Sequence, residues 1–373
     1  MRSLGRNCFL VGVLVAGLAS AQATARGEEI PKEYQETVKK GLTWMARSQF
    51  KDGHWEGING SYAISMTALG GMSLLCEGST IREGKYRDNI RRATNWLMDR
   101  VQPNGLIGNP SSPTEGGRYM YGHGFALLFL SCVVGEEENV RRREKLVELL
   151  EKAAKFTHDA QTNRGGWGYV SAKDGSNFDE GSVTITQVQA LRAARNAGII
   201  VPNAAIKQAQ KYLVDSTDDQ GGVQYSLAWG GGGRGQGRPA LTAAAITCGF
   251  SFGDYTSDIV KRWLKNCQNT LSIPGDGRRM GHDEYTHYYY SQVVYVLGED
   301  RFMKIVPESR TDEALTWSKY RKSVFEEYKK TQSADGSWSH DSWTARMVGP
   351  VYVTACYLTV LQLDKAALPI YQR

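Results

Sequence analysis

A helix-and-turn unit of roughly 50–60 residues recurs six times along this chain, and no other feature restricts the possible folds as strongly. In each unit a helix ends near an aromatic residue, a glutamine follows about five residues later, and a glycine-containing turn comes next. The turns lie at residues 49–55, 102–105, 161–167, 217–222, 268–277 and 332–338, with Thr217 replacing the glutamine in the fourth. Glycine supplies the positive φ that a sharp helix end requires, and a glutamine amide can bond nearby backbone groups. We therefore expect these motifs to build the fold rather than to perform chemistry.

Each turn is followed by a helix that is far more apolar than the helix before it. We expect these apolar helices at residues 63–76, 124–134, 183–197, 240–250, 287–297 and 351–363. The preceding helices carry charges on one face. A helix that is apolar nearly all round must be buried, whereas an amphipathic helix lies at the surface. The sequence therefore predicts an all-α domain in which six helical hairpins close into a ring, with outer helices covering inner ones.

Residues 1–25 have the pattern of a cleaved export signal. Arg2 and Arg6 give a basic start, an apolar stretch runs from Cys8 to Leu18, and an Ala-x-Ala exit follows. The apolar stretch is too short to span a bilayer comfortably. We expect an exported protein, periplasmic or extracellular, with one domain at 26–373 and no transmembrane anchor after signal cleavage. The alternative is an amphipathic or buried first helix.

Charge and cysteine usage exclude two further classes. The net charge of +6 is mild and spread along the chain, so we expect no nucleic-acid partner. The five cysteines beyond the signal lie mostly in apolar stretches, where free cysteine behaves as a small buried hydrophobe. Their odd number and the lack of a Cys-x-x-Cys motif argue against a disulfide framework.

The motif Gln-x-x-Asp-Gly-x-Trp at residues 49–55 and its counterpart Gln-Ser-Ala-Asp-Gly-Ser-Trp at 332–338 resemble known repeats. Such repeats occur in squalene cyclases and in the β subunits of protein prenyltransferases. The chain also resembles the secreted bacterial proteins called prenyltransferase and squalene oxidase repeat proteins. The resemblance spans about residues 32–364, and it implies an α/α toroid whose six inner helices surround a central funnel. A shared fold does not fix the activity.

The residues that make those relatives catalytic do not occur with the same spacing in this sequence. Squalene–hopene cyclases protonate an alkene with an Asp-x-Asp-Asp cluster, whereas Asp215, Asp218 and Asp219 have a different spacing and fall in the fourth turn. Prenyltransferases hold zinc with an Asp-x-Cys pair and a histidine on the last inner helix, and this sequence has neither. We therefore expect no metal and no cofactor.

The loops that enter the inner helices should gather polar residues at one end of the ring. Convergent polar groups at an apolar cavity are the default binding site. The sharpest group is His282, Asp283 and His287, predicted as catalytic because a histidine beside a carboxylate is a competent general base. Zinc ligation, and helix capping or packing, are the alternatives for this group. The predicted ligand-binding residues are Tyr119, Tyr121, His123, Glu180, Arg238 and Tyr285.

The leading functional hypothesis is a non-cyclising toroid that binds a small hydrophobic or glycan ligand in its central cavity. One alternative is an enzyme of the same superfamily, either terpenoid cyclase-like or polysaccharide lyase-like. Another is a scaffold whose outer ring binds proteins. An apolar, aromatic lumen would favour isoprenoids, whereas a basic, polar lumen would favour acidic glycans.

Overall fold

A computed structural model describes residues 27–175, 177–228, 236–273, 282–310, 314–339 and 341–372. The expected export signal, the glycine-rich segment at 229–235 and the fifth turn at 276–277 lie outside these ranges. Within them the regular structure is helical, apart from two isolated β-bridges. The expected all-α class is therefore confirmed.

Two sets of helices alternate along the described chain. The amphipathic, outer set is α1 (Lys32–Arg47), α3 (Arg87–Met98), α5 (Val140–Asp159), α7 (Asn203–Asp215), α9 (Asp258–Thr270) and α12 (Trp317–Thr331). The apolar, inner set is α2 (Ala63–Leu75), α4 (Tyr119–Val133), α6 (Gly181–Asn196), α8 (Pro239–Phe252), α10 (Asp283–Leu297) and α14 (Pro350–Leu361). Two short helices, α11 (Arg301–Ile305) and α13 (Trp343–Val348), lie in the connections of the last hairpins. Of these helices, none is long and apolar enough to cross a membrane.

The inner helices form a closed ring in which each contacts the next. The order is α2, α4, α6, α8, α10, α14 and back to α2, so the first and last hairpins meet. Every residue of α2 from Ile64 to Leu75 is buried, whereas the outer helix α3 buries one face. This difference explains why the two sets have different compositions. The architecture is the expected α/α toroid of six helical hairpins.

Two inner helices begin four or five residues earlier than the sequence predicts. α4 begins at Tyr119 rather than at residue 124, and α10 begins at Asp283 rather than at residue 287. Their first turns are polar and aromatic, so a hydropathy pattern assigns them to the preceding loop. Because outer and inner helices alternate, all six inner helices start at the same end of the ring. We call this end the mouth.

Each of the five glycine turns within the described ranges packs against the outer helix of the next hairpin. A Cβ at Gly336 would lie 2.6 Å from the Lys40 carbonyl oxygen on α1. The Gln332 amide donates to the Gly336 carbonyl of its own turn (3.0 Å) and to the Thr37 carbonyl on α1 (2.9 Å). The same close approach joins Gly53 to Arg92, Gly105 to Lys152, Gly165 to Gln208, and Gly221 to Arg262. The repeated motif therefore fixes the spacing of neighbouring hairpins.

The end of the ring opposite the mouth, which we call the base, is closed by the C-terminal segment. Residues 369–371 form a 3-10 turn against α6, and the Tyr371 hydroxyl lies 3.0 Å from that of Tyr288 on α10. Nearby, the Gln189 side-chain amide on α6 donates to the side-chain Oε1 of Gln292 on α10 (2.9 Å). A cavity of about 60 Å³ remains beside Arg192 and Tyr371. Side chains therefore fill much of the lumen at this end.

Candidate functional site

A hydrogen-bonding position that recurs on the inner helices accounts for the placement of His123, and threonine occupies it on four of them. On four inner helices a threonine hydroxyl accepts a hydrogen bond from the backbone N–H of the residue that follows the glycine turn. The pairs are Thr67 with Trp55 (3.0 Å), Thr184 with Trp167 (3.0 Å), Thr242 with Val223 (2.9 Å) and Thr354 with Trp338 (2.9 Å). These bonds tie each turn to the inner helix of its own hairpin.

His123 occupies this position on α4. Its Nδ1 accepts from the Ile107 N–H (3.1 Å), and its Nε2 lies 2.8 Å from the Thr157 hydroxyl on α5. The ring is fully buried, and burial lowers the pKa of His123 to about 3. Both ring nitrogens are therefore engaged within the protein. This geometry argues against the predicted ligand-binding role of His123, because neither nitrogen remains for a ligand.

His287 has a closely similar position on α10. It is the fifth residue of α10, as His123 is the fifth residue of α4. The buried His287 ring lies with Nδ1 2.7 Å from the Tyr320 hydroxyl on α12, the outer helix of the next hairpin. His287 therefore faces the outer ring rather than the mouth.

Of the predicted catalytic group, His282 immediately precedes α10, and Asp283 and His287 lie about one turn apart on that helix. His282 is exposed at the start of α10, with φ of 61°, and its Nδ1 lies 2.7 Å from the Thr344 hydroxyl on α13. The two histidines therefore form hydrogen bonds with different helices, α13 and α12. Asp283 is half-buried. Among the described residues no group of three histidine, cysteine or acidic side chains could hold a metal ion. These contacts favour packing roles for the two histidines, and the catalytic role of the group stays a prediction.

Tyr119 also has a structural position. Its buried hydroxyl donates to the Asp174 carboxylate (2.5 Å) and accepts from the Ser171 N–H (2.7 Å). These bonds fasten residues 171–174 to the start of α4. The hydroxyl is thus saturated by the protein, which argues against the predicted ligand contact of Tyr119.

Glu180 forms the centre of the polar cluster at the mouth. It precedes α6, where its carboxylate caps the helix by accepting from the Val183 N–H (2.9 Å). The same oxygen accepts from the Ser182 hydroxyl (2.5 Å) and the Tyr121 hydroxyl (3.2 Å). Glu180 is 1% exposed, and burial raises its pKa even though these donors lower it. The arrangement is a buried, hydrogen-bonded carboxyl group that retains its proton to a higher pH than an ordinary glutamate.

The neighbouring Asp179 holds this segment in place. Its buried carboxylate forms an ion pair with Arg164 and accepts from the Tyr212 hydroxyl (3.1 Å) and the Leu227 N–H (2.7 Å). Asp179 therefore anchors the loop to α7 and to the following turn, while Glu180 turns toward the mouth. A buried carboxylate with several donors is the usual way to make such an anchor stable.

Tyr169 and Tyr225 line the mouth beside Glu180. They lie two residues after Trp167 and Val223, whose backbone N–H groups donate to the threonines of α6 and α8. The hydroxyls of the two tyrosines are hydrogen-bonded to each other. The Tyr169 carbonyl accepts from the Met120 N–H (3.1 Å) and the Tyr225 carbonyl from the Gly181 N–H (2.9 Å). Each tyrosine is therefore fixed over the N-terminus of the preceding inner helix. Burial, and the nearby charge of Glu180, raise the pKa of both hydroxyls.

Tyr285 completes the cluster from the opposite side, on α10. Its ring is half-buried and packs edge-on against Tyr289, with centroids 4.8 Å apart. Burial raises its pKa, and Tyr289, Glu180 and Tyr121 add to that effect, so these groups lie near one another. The buried hydroxyl of Tyr285 makes no hydrogen bond within normal limits to the described residues.

Arg238 immediately precedes α8, and its guanidinium carbon lies 4.2 Å from the centroid of the Tyr225 ring. Four of the six residues predicted to bind a ligand therefore belong to the mouth: Tyr121, Glu180, Arg238 and Tyr285. The sequence reasoning missed Tyr169 and Tyr225. A signal for them exists, because Gly-Trp-Gly-Tyr at 166–169 and Gly-Val-Gln-Tyr at 222–225 place a tyrosine at the same offset in successive repeats.

Sequence comparison gives a short match. No family model matches the chain. Human lanosterol synthase is 33% identical over 88 residues, and this match covers 24% of the chain and 12% of the synthase. The aligned segment is therefore a small part of that relative.

Solved structures are similar over almost the whole chain. Unsaturated glucuronyl hydrolase from Bacillus sp. GL1 gives a TM-score of 0.62 at 13% identity, covering 91% of this chain and 99% of that one. Type II terpene cyclase MstE from Scytonema gives 0.56 at 12% identity, covering 91% and 100%. At such identities the likeness establishes the fold alone. Together with the lanosterol synthase match, the architecture fits an α/α toroid of the squalene-cyclase-like superfamily.

Proposed function

We propose that the mouth of this toroid binds a carbohydrate. The observation that carries the proposal is a set of half-buried tyrosine rings around the buried carboxyl group of Glu180. Sugar rings stack on aromatic faces, and their hydroxyls need convergent polar partners. Tyr121, Tyr169 and Tyr285 supply the rings, and Ser182 supplies a further hydroxyl.

The filled base is the reason for preferring a sugar to a long isoprenoid. A linear hydrocarbon chain needs an apolar tunnel deep enough to cover it. Here the Gln189–Gln292 bond and the Tyr288–Tyr371 contact cross the lumen at the base. The mouth, in contrast, presents tyrosine rings and hydroxyl groups, which suit a sugar.

Binding can be measured by calorimetry with galactotriose, trigalacturonate and geranylgeraniol as probes. We expect a trisaccharide to bind and a Tyr121→Ala, Tyr285→Ala variant to weaken its affinity by about tenfold or more. Tyr255→Ala is the matched control, because Tyr255 lies exposed near the base. Geranylgeraniol binding without sugar binding, or equal loss in the control, would overturn the proposal.

One observation favours a second candidate, catalysis by Glu180. A carboxyl group whose pKa is raised by burial can serve as a general acid, toward a glycosidic oxygen or toward an alkene. Glu180→Gln retains the side-chain size and can still accept from the Val183 N–H. If Glu180 is the acid, turnover of a bound substrate should fall by about 100-fold or more while its affinity stays unchanged. Unaltered turnover would exclude this role.

We also propose that the protein is exported and loses residues 1–25. The support is the basic start, apolar stretch and Ala-x-Ala exit of that segment. N-terminal sequencing of the protein from fractionated cells should give a chain that begins after Ala23 or Ala25, outside the cytoplasm. Full-length protein in the cytoplasm would contradict export.

A further inference from the structure

We propose that Arg118 and Arg238 form a clamp for a carboxylate, so that the sugar bound at the mouth is a uronic acid. This inference rests on the proposed carbohydrate binding and specifies its ligand class. The clamp is defined by these two arginines together with Tyr169 and Tyr225, on which they stack.

The two arginines have equivalent places in the ring. Arg118 is the residue before α4 and Arg238 is the residue before α8. These inner helices flank α6, which carries Glu180 at its own start. The arginines therefore stand on both sides of the buried carboxyl group, at the N-terminal ends of helices, where the helix dipoles also favour an anion.

Aromatic stacking holds both guanidinium groups in the mouth. The Arg118 guanidinium carbon lies 4.7 Å from the Tyr169 ring centroid, and that of Arg238 lies 4.2 Å from the Tyr225 centroid. Because the two tyrosine hydroxyls are hydrogen-bonded to each other, the arginines stack on two rings that form one unit. Stacking uses the face of a guanidinium group and leaves its N–H edge available for a planar carboxylate.

The charge of these arginines is not neutralised by the described part of the chain. Neither side chain forms an ion pair or a hydrogen bond with the described residues, and both are exposed. In contrast, Arg164 is paired with the buried Asp179, and Arg321 is paired with the buried Asp364. An arginine that stacks on a tyrosine and has no anionic partner within the described chain can form an ion pair with an anionic ligand.

The buried Glu180 is not the anionic partner of either arginine. The Glu180 oxygen that faces the cluster already accepts from Ser182, Tyr121 and the Val183 N–H. The mouth therefore has an acid at its floor and two cations at its rim. A uronic acid can satisfy both, with its carboxylate between the arginines and a hydroxyl directed toward Glu180.

The test compares α-1,4-linked galactotriose with trigalacturonate, which differ only at C6. We expect the native protein to bind trigalacturonate about tenfold more tightly than galactotriose. The Arg118→Gln, Arg238→Gln variant should lose most of this preference, so that its affinities for the two trisaccharides become similar. Arg118→Lys with Arg238→Lys should keep part of the preference, because lysine retains the charge without the planar fork.

Arg141→Gln is the matched control, since Arg141 is an exposed arginine on the outer helix α5. Thermal unfolding of each variant verifies that the fold is retained. Equal affinity of the native protein for both trisaccharides, or a preference that survives the double glutamine substitution, would overturn the clamp and leave carbohydrate binding intact. If neither trisaccharide binds, both proposals are wrong.

Discussion

At the scale of single residues, the two named side chains of one short motif point to different parts of the molecule. The Tyr-x-His sequence occurs at the start of both α4 and α10, as Tyr121 to His123 and Tyr285 to His287. In each case the tyrosine lines the mouth and the histidine bonds to the next outer helix. Two residues on a helix are about 200° apart, so the two side chains must leave on opposite faces.

Replacing His123 with alanine should destabilise the protein by about 2–4 kcal/mol, because the buried Ile107 N–H loses its acceptor and a cavity remains. His123→Thr should cost less, since threonine is the acceptor in four other hairpins. Urea unfolding at neutral pH measures both free energies. Equal losses for the two variants would contradict the structural role of His123.

The same residue predicts a dependence of stability on pH. Burial lowers the folded pKa of His123 from 6.5 to about 3, so the unfolded chain binds this proton first as the pH falls. The stabilisation is complete above pH 6.5 and decreases below it, by about 1.4 kcal/mol per unit from this group. In unfolding experiments between pH 7 and 4.5, His123→Thr should show a smaller loss than the native protein. An identical slope for the two proteins would be inconsistent with a buried neutral histidine.

At the scale of helices and turns, glycine sets how closely hairpins approach. Gly105 has φ of 92°, and a Cβ there would lie 2.1 Å from the Lys152 carbonyl oxygen on α5. Backbone cannot yield as a flexible side chain can, so the next outer helix would have to move. The glycine turn therefore determines how closely the next hairpin can pack.

Gly105→Ala should accordingly cost about 3 kcal/mol or more, through both the positive φ and the contact with α5. Gly78→Ala is the matched control, because Gly78 has φ of 101° and open space around the added Cβ. The control should cost only about 1 kcal/mol, the price of the left-handed conformation. Chemical denaturation gives both free energies, and a similar loss at the two positions would refute packing as the main cause.

At the scale of the whole molecule, closure of the ring depends on its two ends. The last turn packs on α1 through Gly336 and Gln332, and α14 contacts α2. The C-terminal segment then covers the base, where Leu368 and Tyr371 are buried. Because each inner helix is covered on all sides by its neighbours, the ring should unfold as one unit.

Truncation after Lys365 should lower the free energy of unfolding by about 3–5 kcal/mol, since two large apolar side chains lose their burial. It should also expose the base to an apolar fluorescent dye. Tyr371→Phe is the milder comparison, because it removes only the contact with the Tyr288 hydroxyl and should cost about 1 kcal/mol. Full stability of the truncated chain, without dye binding, would show that the segment does not seal the ring.

The sequence alone determined the six hairpins, their order and the division into inner and outer helices, because amphipathicity, helix ends and glycine turns are local properties. It also indicated four residues of the mouth: Tyr121, Glu180, Arg238 and Tyr285. It could not show that His123 and His287 face the outer ring, because composition does not reveal which face of a buried helix points inward. Tertiary structure made that choice. Closing the ring fixes the rotation of every inner helix, and this rotation sends the tyrosines into the mouth and the histidines into the wall.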